Sequence, residues 1–152
     1  MGHFPWEANS VAQLDYAALK AAALAARERA YAPYSRFLVG AAVLTASGKI
    51  FPGCNIENAA YSVGVCAERA ALFSAYAAGE QSIIAMAVVT ATEAVASPCG
   101  ACRQVMIELA PDCPVLLCNL RGDEQLSNSR ILLPHSFGAG QLDEAGKERN
   151  DA

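Results

Sequence analysis

Basic residues are scarce in this chain. Its 152 residues hold 11 Lys and Arg against 15 Asp and Glu, a formal net charge of −4, and the sequence pI is near 5.1. A protein that grips a phosphate backbone presents a basic patch, because counterion release supplies most of that binding. The few cations here are scattered, so nucleic acid is excluded as a partner and a small, neutral or weakly charged ligand is expected. Long apolar runs are missing too. No stretch approaches the ~18–20 apolar residues that a membrane-spanning helix needs, so no membrane partner is expected. The opening, Met1-Gly2-His3-Phe4-Pro5-Trp6-Glu7, has neither a cationic segment nor an apolar run, which is unlike a secretory signal. The expected location is cytoplasmic, where thiols stay reduced. The six cysteines are then read as thiols rather than as a disulfide framework. Internal repeats, low-complexity tracts and linkers are also lacking, and the length suits one domain over residues 1–152.

What the chain does have is apolar residue in excess, 54%, above the ordinary range for a globular protein. Much of it is alanine, as in Ala21-Ala22-Ala23-Leu24-Ala25-Ala26, which suits close helix packing and surface covered by other subunits. Leu14, Ala18, Ala21, Ala22 and Ala25 recur at helical spacing and predict a helix over residues 14–32, ended by Pro33. Residues 37–44 read as a buried strand, Ala46-Ser47-Gly48 as a turn, and residues 49–54 as its hairpin partner. Residues 55–65 read as a loop, and a helix follows from Cys66 to a stop at Gly79. Residues 83–90 are apolar throughout, as in a strand covered on both faces. Ser97-Pro98 announces a helix over residues 99–109, residues 114–119 form another buried strand, and residues 124–132 a weaker one. The first dozen residues read as a flexible extension, and the tail after Gly138 as loosely ordered. Helices alternating with five apolar strands imply the α/β class, with a partly parallel sheet and a hairpin at one side.

Cys99-Gly100-Ala101-Cys102 puts two thiols three residues apart on one face of a helix start. Cys66 opens another helix. Helix N-termini carry partial positive charge and spare N–H donors, and both favour thiolate. Three thiolates between two helix starts suit one zinc ion, with Zn–S distances of about 2.3 Å. A C-x-x-C alone fits a redox dithiol or a structural zinc pair equally well. Glu68, two residues after Cys66, changes the balance, because its side chain can lean back toward the helix start. Three ligands leave a fourth position for water, and a carboxylate beside that water is a general base. Arg69, at i+3 from Cys66, is placed to donate to the sulfurs. It would offset the net −1 that three thiolates leave around Zn²⁺; on its own it reads equally as a surface arginine.

Cys66-Ala67-Glu68-Arg69 followed by Pro98-Cys99-Gly100-Ala101-Cys102-Arg103-Gln104 resembles the signature of the zinc nucleoside deaminases. Asn55-Ile56-Glu57-Asn58-Ala59-Ala60-Tyr61, Ala32-Pro33-Tyr34-Ser35-Arg36-Phe37 and Leu132-Leu133-Pro134-His135-Ser136-Phe137 are similar to segments of the small homotetrameric cytidine deaminases. The resemblance covers residues 14–137. It implies a three-layer fold with a mixed five-stranded sheet flanked by helices. It further implies hydrolysis of free cytidine and deoxycytidine, one Zn²⁺ per subunit on Cys66, Cys99 and Cys102, and Glu68 as proton shuttle. By the same resemblance Asn55 and Glu57 bind ribose hydroxyls, Phe37 contacts the pyrimidine, and the Ala67 backbone N–H fixes the base carbonyl. Tyr61 and Phe137 contribute across subunit boundaries of a homotetramer whose active sites lie at its interfaces. Read alone, Phe37 and Phe137 are equally core aromatics, and Asn55 and Glu57 equally turn residues. His135 has no evident ligand role, and Cys54, Cys113 and Cys118 read as small buried hydrophobes.

Overall fold

Alanine governs how the helices meet the sheet. The computed structural model describes residues 14–148, and in it helix α1 (Tyr16–Arg27) starts where Asp15 accepts the Ala18 N–H at 3.0 Å. Strands β1 (Gly40–Thr45) and β2 (Ile50–Cys54) form the expected hairpin. Helix α2 (Ala67–Ala77) and strand β3 (Ile83–Thr90) follow, then α3 (Gly100–Leu109), β4 (Pro114–Asn119) and β5 (Glu124–Asn128). The sheet order is β2-β1-β3-β4-β5. Only β3 and β4 run parallel; the other neighbours are antiparallel.

Both faces of the sheet are covered, which is why its central strands are apolar without alternation. On one face Leu19 and Ala23 of α1 pack on Ala42, Ala85, Ala87, Val89 and Leu116. On the other, Ala71, Leu72 and Ala75 of α2 and Met106 of α3 pack on Ala41, Val43, Met86, Val88 and Val115. The result is three layers, helix on sheet on helices. The second helix layer carries the chemistry, because α2 and α3 both begin there.

Several boundaries depart from the sequence reading. Helix α1 ends at Arg27, not at residue 32. The chain beyond it is drawn into extended pairing, with Tyr31 N–H donating to Asn55 C=O at 3.0 Å and Glu57 N–H to Tyr31 C=O at 2.8 Å. Local helix preference loses there to a tertiary ladder. The last strand stops at Asn128, whose side chain accepts the Arg130 N–H at 2.9 Å and starts a short helix, α4 (Ser129–Leu132). Beyond Gly138, residues Ala139–Glu148 form a helix, α5. Its residues include no proline and no β-branched side chain, and Gln141 reaches back to accept the Gly138 N–H at 2.9 Å. The expected flexible N-terminal extension lies outside the described residues.

The approach of β2 to α2 is set by Gly53. A Cβ there would fall 2.4 Å from the Ala71 nitrogen and 2.6 Å from the Ala67 oxygen. Gly53→Ala is therefore expected to destabilise the protein by about 1–3 kcal/mol through overpacking. Urea denaturation checks this, and an unchanged midpoint refutes it.

Candidate active site

Cys66 and Cys99 each sit one residue before a helix, as the N-caps of α2 and α3, in extended backbone conformation. Neither side chain caps its own helix, so both sulfurs are free to turn elsewhere. They turn toward Cys102, in the first turn of α3. The three Sγ atoms lie within 4.8 Å of one another, with Cys66 and Cys99 at 3.8 Å. Two sulfurs bound at about 2.3 Å to a tetrahedral zinc stand about 3.8 Å apart. No fourth Cys, His, Asp or Glu joins the cluster among the described residues. Of the other thiols, Cys113 and Cys118 are buried as expected, whereas Cys54 is half-exposed.

The electrostatics call for a cation. Arg69 Nη2 donates to Cys66 Sγ at 3.7 Å, and its Nε is buried with no partner among the described residues. Hydrogen bonding from the Cys102 thiol, with help from Arg69 and Cys99, pulls Cys66 down to about 5. The same contact pushes Cys102 above the ordinary thiol range. One thiolate thus forms readily while its neighbour resists, since adjacent negative charges oppose each other. A divalent metal removes that conflict. The soft three-sulfur donor set fits zinc.

Glu68, in the first turn of α2, is only 5% exposed. Burial pushes its carboxyl above the usual carboxylate range. Ala67 beside it is the first residue of α2 and fully buried. Arg103 follows Cys102 in the sequence motif. It donates through Nε to Pro98 C=O at 2.7 Å, through Nη1 to Leu132 C=O at 2.9 Å and through Nη2 to Ser97 Oγ at 2.8 Å. One guanidinium thereby ties the approach to Cys99 to the C-terminal segment. Its position at i+4 from Cys99 was the available signal.

A cleft of about 420 Å³ opens beside Cys66 and Arg69, with Asn55, Glu57 and Tyr61 in its walls. Asn55 Oδ1 accepts the Val39 N–H and its Nδ2 donates to Phe37 C=O, both at 2.8 Å. Glu57 Oε2 accepts the Tyr34 and Ser35 N–H groups at 2.9 and 3.2 Å, while Oε1 accepts the Ser35 hydroxyl. Tyr61, expected to act across a subunit boundary, already lies on the rim of its own chain's cleft, edge-to-face with Tyr34 at 5.9 Å. Phe37 and Phe137 do not line it. The two residues are 43% and 56% exposed, not core aromatics, and the Phe137 C=O accepts from Gln104 Nε2 at 2.9 Å. His135 is exposed and outside the cluster.

Residues 14–118 match the cytidine and deoxycytidylate deaminase zinc-binding region, a span that contains all three cysteines, Glu68 and Arg69. The chain belongs to this family. It is 52% identical over 123 residues to the cytidine deaminase of Halalkalibacterium halodurans, covering 80% of this chain and 93% of that one. It is 48% identical over 136 residues to the cytidine deaminase of Sporosarcina psychrophila, covering 89% and 100%. Its fold is similar to the crystal structure of cytidine deaminase from Burkholderia pseudomallei, with TM-score 0.79 and 54% identity over 82% of this chain and all of that one. For a family with a zinc-binding region the three-sulfur cluster is a potential metal site, and Arg69 donates to one of its sulfurs. Arg69→Ala is expected to weaken zinc retention by about 10- to 100-fold, the usual effect of removing a partner of the ligands. Competition with a chelator measures this, and unchanged retention would count against the charge argument.

Proposed function

We propose that this chain hydrolyses cytidine and deoxycytidine to uridine and deoxyuridine with release of ammonia. The observation that carries the reading is a cluster of three thiols held beside a buried carboxyl, Glu68, and opening on a cleft lined by Asn55 and Glu57. The names of the similar enzymes support the same substrate class. Cys66, Cys99 and Cys102 would hold zinc. When bound, zinc supplies Lewis acidity, lowering the pKa of water from about 15.7 toward about 7–9.

The remaining steps belong to the chain. Glu68 accepts a proton from the attacking water and passes it to N3 of the pyrimidine as the water oxygen adds at C4. Glu68 then takes the remaining proton of the added hydroxyl and delivers it to the amino group; the C4–N bond breaks, the C4 carbonyl forms, and ammonia leaves. Burial suits this carboxyl to a role in which it takes up and gives back a proton. Asn55 and Glu57 hold ribose hydroxyls, and the Ala67 N–H at the start of α2 fixes the base carbonyl. Phe37 contacts the ring, Tyr61 closes the rim, and Phe137 packs on the base in a neighbouring copy's site. Arg69 donates to the thiolates. The exposed rings of Phe37, Phe137 and Tyr61, the last 78% exposed, are consistent with a homotetramer whose sites lie at subunit boundaries. A free nucleoside substrate and an acidic chain suit pyrimidine salvage in the cytoplasm.

Ammonia release from cytidine by purified protein, abolished by a zinc chelator and restored by zinc, tests the reading; no release from the metal-loaded protein refutes it. Glu68→Ala is expected to keep zinc and lose at least about 10²- to 10⁴-fold in rate, whereas wild-type turnover would overturn its role. Sedimentation equilibrium is expected to give four times the 15.9 kDa of one chain, and a monomer mass would remove the tetramer.

A further inference from the structure

The Ser35 hydroxyl joins two parts of the cleft that the sequence places far apart. It donates to Glu57 Oε1 and accepts the Phe37 N–H at 3.0 Å. Asn55 grips the same strand from the other side, through Phe37 C=O and Val39 N–H. Phe37, Ser35, Glu57 and Asn55 therefore form one hydrogen-bonded unit along the cleft. An ionised carboxylate offers about four acceptor positions. Three of those on Glu57 are taken by Tyr34 N–H, Ser35 N–H and the Ser35 hydroxyl. What remains is one acceptor position, on Oε1, the oxygen that Ser35 holds.

We propose that Ser35 is a positioning residue for nucleoside recognition, orienting Glu57 so that its one free lone pair meets a sugar hydroxyl while its own acceptance of the Phe37 N–H keeps the base-contacting residue in register. The inference rests on the nucleoside reading above. The same donors, the Ser35 hydroxyl first, hold the Glu57 carboxyl below the ordinary carboxylate range, so it is a committed acceptor at neutral pH. A carboxylate lacking the hydroxyl would keep its two backbone donors on Oε2 but lose the contact that fixes Oε1. The backbone around Ser35 leaves little slack, since Arg36 adopts a left-handed conformation with φ 57°.

Steady-state kinetics of Ser35→Ala on cytidine and on 2′,3′-dideoxycytidine test this. The expected result on cytidine is a KM raised by roughly 10- to 150-fold, the range for losing a hydrogen bond to a charged group, with kcat within about threefold. On the dideoxynucleoside, which lacks the 2′- and 3′-hydroxyls, the variant and wild type are expected to agree within about twofold. Ser35→Thr restores the hydroxyl and the cytidine KM, while Ser35→Val, equal to it in shape, does not; this pair keeps the comparison valid if the alanine variant folds poorly. Equal losses on both nucleosides, a loss confined to kcat, or no loss at all overturns the proposal. Wild-type enzyme inactive on cytidine would instead remove the nucleoside reading, so the two failures are distinguishable.

Discussion

Three sulfur atoms held within 4.8 Å are the constraint that the rest of this structure serves. Two unit charges about 4 Å apart repel by roughly 4 kcal/mol at an effective dielectric of about 20. A chain left to itself would separate such groups, so the scaffold must hold them in place from two different helices. On one side β2 presses on the first turns of α2 at Gly53, where a side chain would collide with Ala71 and Ala67. On the other, Arg103 pins Ser97 and Pro98 just before Cys99. The sheet between them joins β3 to β4 in parallel with α3 as the crossover. That topology brings the start of α3 to the same face as the start of α2.

Charge compensation is layered on this geometry. Two helix N-termini contribute partial positive charge, Arg69 contributes a whole one, and a divalent metal supplies the rest. Cys66, held low by the Cys102 thiol and helped by Arg69, is also the thiol that borders the cleft. Ligand-facing and metal-facing chemistry thus meet at one residue.

Much of this was legible in the sequence, and the reasons differ by element. The sheet was readable because residues 83–90 and 114–119 are apolar throughout, a pattern that burial on both faces demands. The cysteines were readable because i, i+3 spacing at a helix start has a geometric consequence that needs no tertiary information. The end of α1 was not. Alanine continues to favour helix past Arg27, and only the ladder between Tyr31 and residues 55–57 draws the chain out. Helix α5 was missed because a polar tail reads as solvated whether or not it is coiled; Gln141 capping Gly138 was the signal overlooked. Arg103 was visible but mute, since two of its acceptors are backbone carbonyls, which every residue has.

The sequence leaves Asn55 and Glu57 open between turn residues and ligand residues, and the structure shows the turn bonds. Their hydrogen bonds within the chain close the segment around Phe37, which is turn work, yet they leave an unused acceptor on Glu57 and an unused N–H on Asn55. The folding bonds are what aim the spare ones. Glu57 and Glu68 differ in environment. Glu57, open and ringed by donors, is held ionised; Glu68, buried in the first turn of α2, is pushed the other way. A carboxylate that keeps its charge suits holding a ligand in register. One nearer to neutrality suits carrying a proton, and the fold assigns each to its place by little more than which side of Cys66 it lies on.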